Sequence, residues 1–202
     1  AIGSVVGGFM AERGHRVTLV GREDHMRAVA DRGLRITGIW GEHVVREIDA
    51  RTSIEEIAEG WFDLILITVK AYDTPRAADA IAPLVGADTL VCSYQNGLGN
   101  AEAIAERIGW ERTIGARAIF GVVVREAGWA DVTVIANPTA LGTYHPDTST
   151  ERVRAIAEAM NATGLPTVYT DRIRTVLWNK VAYNCALNPM SALLDVPYGA
   201  LL

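Results

Sequence analysis

Residues 62–70, FDLILITVK, narrow the choice of fold more than any other stretch of this chain. The run is almost continuously apolar, rich in Ile and Leu, and too short for a typical buried helix. Such a run reads as a strand covered on both faces, a situation found mainly in parallel sheets flanked by helices. Comparable runs recur and alternate with helix-like segments. Strands are expected at HRVTLV (15–20), in LRITGIWGEHVVREID (34–49, one or two strands around Gly38 and Gly41), and at DTLVCSYQNG (88–97). TIGARAIFGVVVR (113–125) and ADVTVIANPTALGTY (130–144) read as an antiparallel pair, followed by PTVYT (166–170). Helices are expected at 23–33, 53–60, 73–84, 100–109 and 149–163; Ser53 and Glu56 have capping-box spacing, and Pro75 is tolerable in a first turn. From Asp171 onward the pattern is helical. The alternation predicts an α/β, Rossmann-type doubly wound sheet over residues 1–170, then a linking helix and the start of an all-helical second domain over 171–202.

Composition excludes several classes of function. Half the residues are hydrophobic, but no run approaches the 18 apolar residues of a spanning helix. A net charge of -5 without a basic run argues against nucleic acid as a partner. Cys92 and Cys185 lie far apart in apolar contexts, so they read as reduced, core-type thiols of an intracellular, cytoplasmic protein, and no metal site is expected. No secretory pattern opens the sequence.

The first residues are AIGSVVGGFMAERGHRVTLVGRED. A dinucleotide-binding turn reads G-x-G-x-x-G between a strand and a helix, whose N-terminus then holds the pyrophosphate. AIG fits the last three positions, with Gly3 as the third glycine, and Gly7 and Gly8 permit close packing of helix on sheet. The first strand and two glycines are therefore expected upstream of residue 1. The sequence reads as an excerpt of a longer chain, and the sheet should contain an open slot. At the end of the next strand stands Arg22, where an arginine suits the 2′-phosphate of NADP. Arg22 also reads as an ordinary surface arginine, and Glu23 and Asp24 as first-turn acids of the following helix.

Two further strand ends carry polar groups, and ligands in open α/β sheets sit beyond such ends. Lys70 emerges from the apolar run, either to meet a phosphate beside Arg22 or to cap the strand. Asn96, in Gln95-Asn96-Gly97, is either a contact for ribose or a substrate carbonyl or a turn residue, Asn-Gly being a common turn dipeptide. In VLWNKVAYNCALNP (176–189), Lys180, Asn184 and Asn188 fall at i, i+4 and i+8, one polar stripe on a helix, with Pro189 closing it. An ammonium can stabilise and protonate a carbonyl oxygen during hydride transfer, and two amides can orient a carboxylate without adding charge. Trp178, Val181, Cys185 and Leu187 are expected to pack around the helix elsewhere. The bland alternative is a snorkelling lysine beside asparagines that bond backbone.

Together RVTLVGREDHMRAVADRGLRI, ITVKAYDT, QNGLGN and above all LWNKVAYNCALNPMSAL resemble the ketopantoate reductase (2-dehydropantoate 2-reductase) family, in order across nearly the whole chain. The resemblance implies an NADPH-dependent reductase with a Rossmann domain and a helical domain joined by a helix bearing a catalytic lysine. It implies that Gly3 belongs to the phosphate turn, that Arg22 and Lys70 face the 2′-phosphate, and that Asn96 lies at the nicotinamide end near cofactor and substrate. By the same resemblance Lys180 is the proton donor, Asn184 and Asn188 contact substrate, and Gly121 contacts the cofactor. The implied reaction reduces 2-dehydropantoate to (R)-pantoate on the route to pantothenate and coenzyme A. A homodimer is the candidate assembly.

Three departures bear on the substrate. Where many members have Thr-Thr-His-Gly, this chain has ARAIFG (116–121), so Ile119 and Phe120 replace polar or small groups near the nicotinamide. Tyr198 stands where some members place a substrate-binding Asn, and the family's further Ser and Glu contributions are expected beyond Leu202. Two alternatives therefore stand beside the leading reading: an NADP-dependent reductase of another bulky 2-oxo acid, or a module that binds NADP without turnover.

Overall fold

The computed structural model describes residues 1–57 and 62–201. A helix, α1 (Ile2–Glu12), comes first, then β1 (Thr18–Val20), α2 (Glu23–Arg32), β2 (Leu34–Gly38), β3 (His43–Val45) and β4 (Asp49–Arg51). Next are β5 (Leu64–Ile67), α3 (Thr74–Ile81), β6 (Leu90–Ser93), α4 (Asn100–Ile108), β7 (Thr113–Glu126) and β8 (Trp129–Thr143). The chain then forms α5 (Thr150–Ala162), β9 (Thr167–Thr170) and α6 (Ile173–Leu194).

The main sheet has the order β3-β2-β8-β7-β6-β5, with β9 also paired to β8. It is mixed: β5, β6 and β7 run parallel, whereas β7 and β8 form the long antiparallel hairpin that the sequence predicts. β8 is long enough to serve two neighbours, pairing β2 through Trp129–Val132 and β9 through Thr139–Gly142. Among the described residues β1 pairs only with β4, in parallel, outside this sheet. Between β1 and β5 lies a groove of about 1330 Å³, bordered by Leu19, Leu64, Leu66 and Thr68 among others. It occupies the position of the expected slot. It also explains why Leu64, Ile65 and Leu66 are only half-buried, against the expectation of a strand covered on both faces.

Glycine at two positions of α1 sets how closely the helix approaches the sheet. A Cβ on Gly7 would come within 2.7 Å of Leu19, and one on Gly8 within 2.6 Å of Ile36 and 2.9 Å of Leu34. Val5, Val6 and Phe9 of α1 enter the main core with Leu34, Ile36, Val132, Leu141 and Met160. A second cluster, Ile67, Ala78, Ile81, Val91, Ile104 and Ile108, fills the space between β5–β6 and α3–α4. Helices on both faces of a mainly parallel sheet give the Rossmann-type α/β arrangement expected from the sequence.

Several local expectations need correction. Ser53 makes no capping hydrogen bond, and the described part of 53–60 is a single 3-10 turn at Ile54–Glu56; residues 58–60 lie outside the described residues. Glu56 accepts from the hydroxyl of Thr52 and from the backbone N–H of Ser53, so the glutamate half of the box forms without the serine half. Cys92 is buried as expected, but Cys185 is exposed, as is Trp178, because only one face of α6 meets the sheet. In keeping with the helical pattern expected from Asp171 onward, α6 runs through Pro189 to Leu194; the proline removes one backbone donor and leaves the carbonyl four residues earlier without its helical partner. Arg22 is the N-cap position of α2, and Glu23 and Asp24 sit in its first turn as anticipated.

Candidate active site at the carboxyl edge of the sheet

α6 packs across β7 and β8. Its sheet-facing residues Ile173 and Leu177 are buried, and Lys180 and Asn184 continue the same helical face half-buried, followed by exposed Asn188. The stripe is thus apolar where the helix crosses the sheet and polar where it passes the strand ends. The start of α6 is fixed by Gly142, where a Cβ would come within 2.4 Å of the Thr170 carbonyl and 2.8 Å of Ile173 Cβ.

The stripe meets the end of β6. Lys180 Nζ donates to Asn96 Oδ1 at 2.7 Å and also to the Ala118 carbonyl on β7. Two residues 84 positions apart in sequence are thereby joined at the carboxyl edge of the sheet. Burial, and then the nearby charge of Arg117, lower the Lys180 pKa below the ordinary lysine range. Asn184 lies one turn further along the same face, and Asn188 accepts a hydrogen bond from the Tyr198 hydroxyl.

Asn96 is held from below by a buried polar network that the sequence reading missed. Asn100 Nδ2 donates to the Asn96 carbonyl at 3.0 Å, and Asn100 Oδ1 accepts from Thr74 Oγ1 at 3.0 Å. Gln95 Nε2 donates to Thr74 Oγ1 at 2.8 Å and to the Val69 carbonyl at 2.9 Å. Gly97 and Gly99, at φ 93° and 86°, supply the left-handed turns of this loop. Asn96 therefore is a turn residue and also a side chain aimed at Lys180. The only sequence signal for the network was a cluster of Gln, Asn and Thr at strand ends.

Of the other sequence-predicted residues, Gly3 and Arg22 border the groove between β1 and β5, whereas Lys70 and Gly121 do not line it. Gly3 lies in the first turn of α1, where a Cβ would come within 2.6 Å of Thr68 Oγ1, so glycine lets the helix start close to the end of β5. The first turn of α1 contains no acid, leaving its positive end uncompensated. Gly3 and Arg22 border the same groove. Ser4 and His25, absent from the sequence reading, are linked there: His25 Nε2 lies 3.0 Å from Ser4 Oγ, and Nδ1 accepts from the Gly128 N–H at 3.0 Å. That acceptor role makes Nε2 the protonated nitrogen of neutral His25, which donates to Ser4. Burial, and after it Arg22, lower the His25 pKa, in keeping with a neutral ring.

Lys70 lies three residues past β5, exposed, and forms no ion pair among the described residues. Gly121 lies on β7 opposite Val134, where a Cβ would come within 2.9 Å of Thr133 Oγ1 and of Val134 Cγ1. Its packing accounts for glycine there. Phe120 stacks against Trp40 at 5.2 Å between centroids, and Trp40 meets Phe9 edge-on at 5.7 Å, so an aromatic chain ties β7 to α1. Glycine at position 3, free helix N–H groups and a neighbouring arginine form a donor set suited to a phosphate-bearing dinucleotide.

Residues 1–146 match the family model described as Ketopantoate reductase PanE/ApbA. Among curated proteins, the whole chain aligns with a 2-dehydropantoate 2-reductase of Pyrococcus horikoshii at 39% identity, covering 64% of that protein. It aligns likewise with one of Aquifex aeolicus at 34% identity, covering 63%. The chain thus spans just under two thirds of these relatives. A solved structure of 2-dehydropantoate 2-reductase from Geobacter metallireducens superposes with a TM-score of 0.87 at 31% identity, covering 96% of this chain and 63% of that one. By sequence and by fold, this chain belongs to the ketopantoate reductase family.

Proposed function

We propose that this chain carries the nucleotide-binding part and the acid-bearing helix of an NADPH-dependent 2-oxo acid reductase. Its proposed reaction is the reduction of 2-dehydropantoate to (R)-pantoate. The observation that carries this reading is the convergence of Lys180 on Asn96 at the carboxyl edge of the sheet. A further support is that curated relatives over the full length of the chain bear the name of that activity.

When bound, the nicotinamide supplies hydride to the substrate carbonyl carbon. The chain's own residues do the rest. Gly3 and the free N–H groups of α1 receive phosphate, and Arg22, with Lys70 on the neighbouring strand end, pairs with a 2′-phosphate. Gly121 gives the nicotinamide end backbone access beside β7. The Lys180 ammonium has three donors, two of them engaged by Asn96 and Ala118, and the third is free for a substrate oxygen. It stabilises the negative charge that develops on that oxygen and then passes it a proton. Its lowered pKa makes it a stronger acid than a solvated lysine. Asn96 fixes the ammonium's direction, and Asn184 and Asn188 orient the substrate along the stripe.

In this reading residues 1–170 form the NADP-binding domain and 171–202 the linking helix and beginning of a helical substrate domain. Exposed Tyr183, Met190, Leu193 and Leu194 on α6 support a packing partner for that helix. The proposed setting is cytoplasmic and the proposed assembly a homodimer.

The test is steady-state reduction of a panel of 2-oxo acids by the full-length protein with NADPH and with NADH. The proposal expects preference for 2-dehydropantoate and for NADPH. A second reading, a different bulky 2-oxo acid, is favoured by Phe120 against Trp40 and by Tyr198 on Asn188, which would reshape the substrate side. Preference for another acid in the panel would select it. Binding of NADPH with no acid reduced would select a non-catalytic nucleotide-binding module.

A further inference from the structure

The turn that joins β7 to β8 is clamped against α2 and β2. Arg32 Nη2 donates to the Ala127 carbonyl at 3.1 Å, and the Arg35 N–H donates to the Gly128 carbonyl at 2.9 Å. A Cβ on Gly128 would come within 3.1 Å of Ala28 Cβ. Gly128, buried and at φ 79°, therefore presents its N–H from a fixed place. That N–H donates to His25 Nδ1 at 3.0 Å, which sets both the tautomer of the ring and its orientation. The opposite nitrogen, Nε2, is thereby aimed at Ser4 Oγ, 3.0 Å away on α1.

Ser4 is buried in the first turn of α1, next to Gly3. Glycine at position 3 brings the same turn against Thr68. The start of α1 is thus fixed by close packing at Gly3 and by His25 at Ser4. His25 is itself the third residue of α2, and Arg22 is the N-cap position of that helix. The backbone around Arg22 is held by the Gly21 N–H donating to the Arg51 carbonyl at 3.1 Å and by the Met26 N–H donating to the Arg22 carbonyl at 3.0 Å. The Ser4–His25 bond, between residues 21 positions apart, therefore ties the start of α1 to the helix end that bears Arg22. The pyrophosphate and 2′-phosphate of a dinucleotide are joined by a set number of bonds, so the spacing of these two elements decides whether one molecule reaches both.

We propose that His25 is a positioning residue for nucleotide selection: through Ser4 it holds the start of α1 at the distance from Arg22 that lets a single NADPH engage both. This assignment rests on the nucleotide-binding part of the reading above and names what sets its preference for the phosphorylated cofactor. The two ring nitrogens are committed to Gly128 and Ser4, so His25 acts through them.

The experiment titrates NADPH and NADH, by fluorescence and calorimetry, into full-length wild type, Ser4→Ala, His25→Asn, His25→Gln and the Ser4→Ala/His25→Asn double variant. Asparagine can still accept from the Gly128 N–H but falls short of Ser4, whereas glutamine reaches Ser4 with an amide N–H in place of Nε2. His25→Asn should raise the Kd of NADPH by about 3- to 10-fold, the scale of one lost hydrogen bond, and that of NADH by less than about 2-fold. Ser4→Ala should do the same, and the double variant should lose no more than either single, because all three break one bond. His25→Gln should recover most of the NADPH affinity. A general loosening of the fold would weaken both cofactors alike, so the ratio of their affinities separates positioning from a purely structural role. An unchanged ratio in His25→Asn, or additive losses in the double variant, would overturn the assignment. If His25→Asn does not fold, a wild-type ratio in Ser4→Ala overturns it. A wild type with no preference for NADPH would instead sink the nucleotide reading on which the assignment rests.

Discussion

Replacing Lys180 by alanine separates chemistry from folding at a single position. The amine donates to an exposed amide on Asn96 and to the Ala118 carbonyl, both close enough to the surface for water to take its place. Two such bonds, against the relief of removing a half-buried cation, leave a net stability change within about 1 kcal/mol. For a protein of this size that is a shift of about 2–4 °C in Tm. The catalytic loss should be far larger. A positioned general acid contributes about 10²–10⁴-fold, equivalent to about 2.7–5.4 kcal/mol of barrier. The assay pairs NADPH oxidation under saturating 2-oxo acid with thermal denaturation of the same preparation. Turnover within a few-fold of wild type would refute the proton-donor role, and a melting shift as large as the kinetic loss would reduce it to a structural one. The pH dependence supplies a second check. Burial, with Arg117, lowers the folded-state pKa, so the unfolded chain binds more protons between that value and the ordinary value of about 10.4. The Lys180 penalty is therefore present in full below the folded pKa and is relieved as pH rises through that window. Wild-type activity should fall with pH through the same window as the acid is lost, and Lys180→Ala should show neither feature.

Arg22→Ala should weaken NADPH much more than NADH in fluorescence titrations, and equal losses would contradict a 2′-phosphate contact. Asn100→Ala removes the support of Asn96 and leaves the buried Thr74 hydroxyl without its acceptor; a loss of about 1–3 kcal/mol in chemical denaturation is expected, with lowered kcat. Gly142→Ala drives a methyl group into the Thr170 carbonyl and Ile173, at about 1–3 kcal/mol, and displaces the start of α6. Wild-type stability and turnover in that variant would show that the helix start is not fixed there.

Much of the frame was legible in the residues. The apolar run at 62–70, glycines 7 and 8 and the β-branched stretches on either side of Gly128 contain the periods and small residues that specify strands, close helix packing and an antiparallel hairpin. These are local signals, set by side-chain alternation and backbone freedom, and a linear reading captures them. So too is the Lys180–Asn184–Asn188 stripe, which follows from helical geometry alone. The misreadings concern what surrounds a side chain: Ser53 makes no side-chain cap at Ile54–Glu56, and Cys185 and Trp178 are exposed on the outer face of α6.

What the sequence by itself determined, then, is an α/β frame with a polar helical ridge and polar strand ends. Only the tertiary structure decided that this ridge meets Asn96, 84 positions earlier, and that Asn96 is held by Asn100, Thr74 and Gln95. Pairing between distant elements depends on which faces are buried together, and the charge state of a side chain depends on what surrounds it in space. Neither is written in the spacing of residues along one strand or one helix.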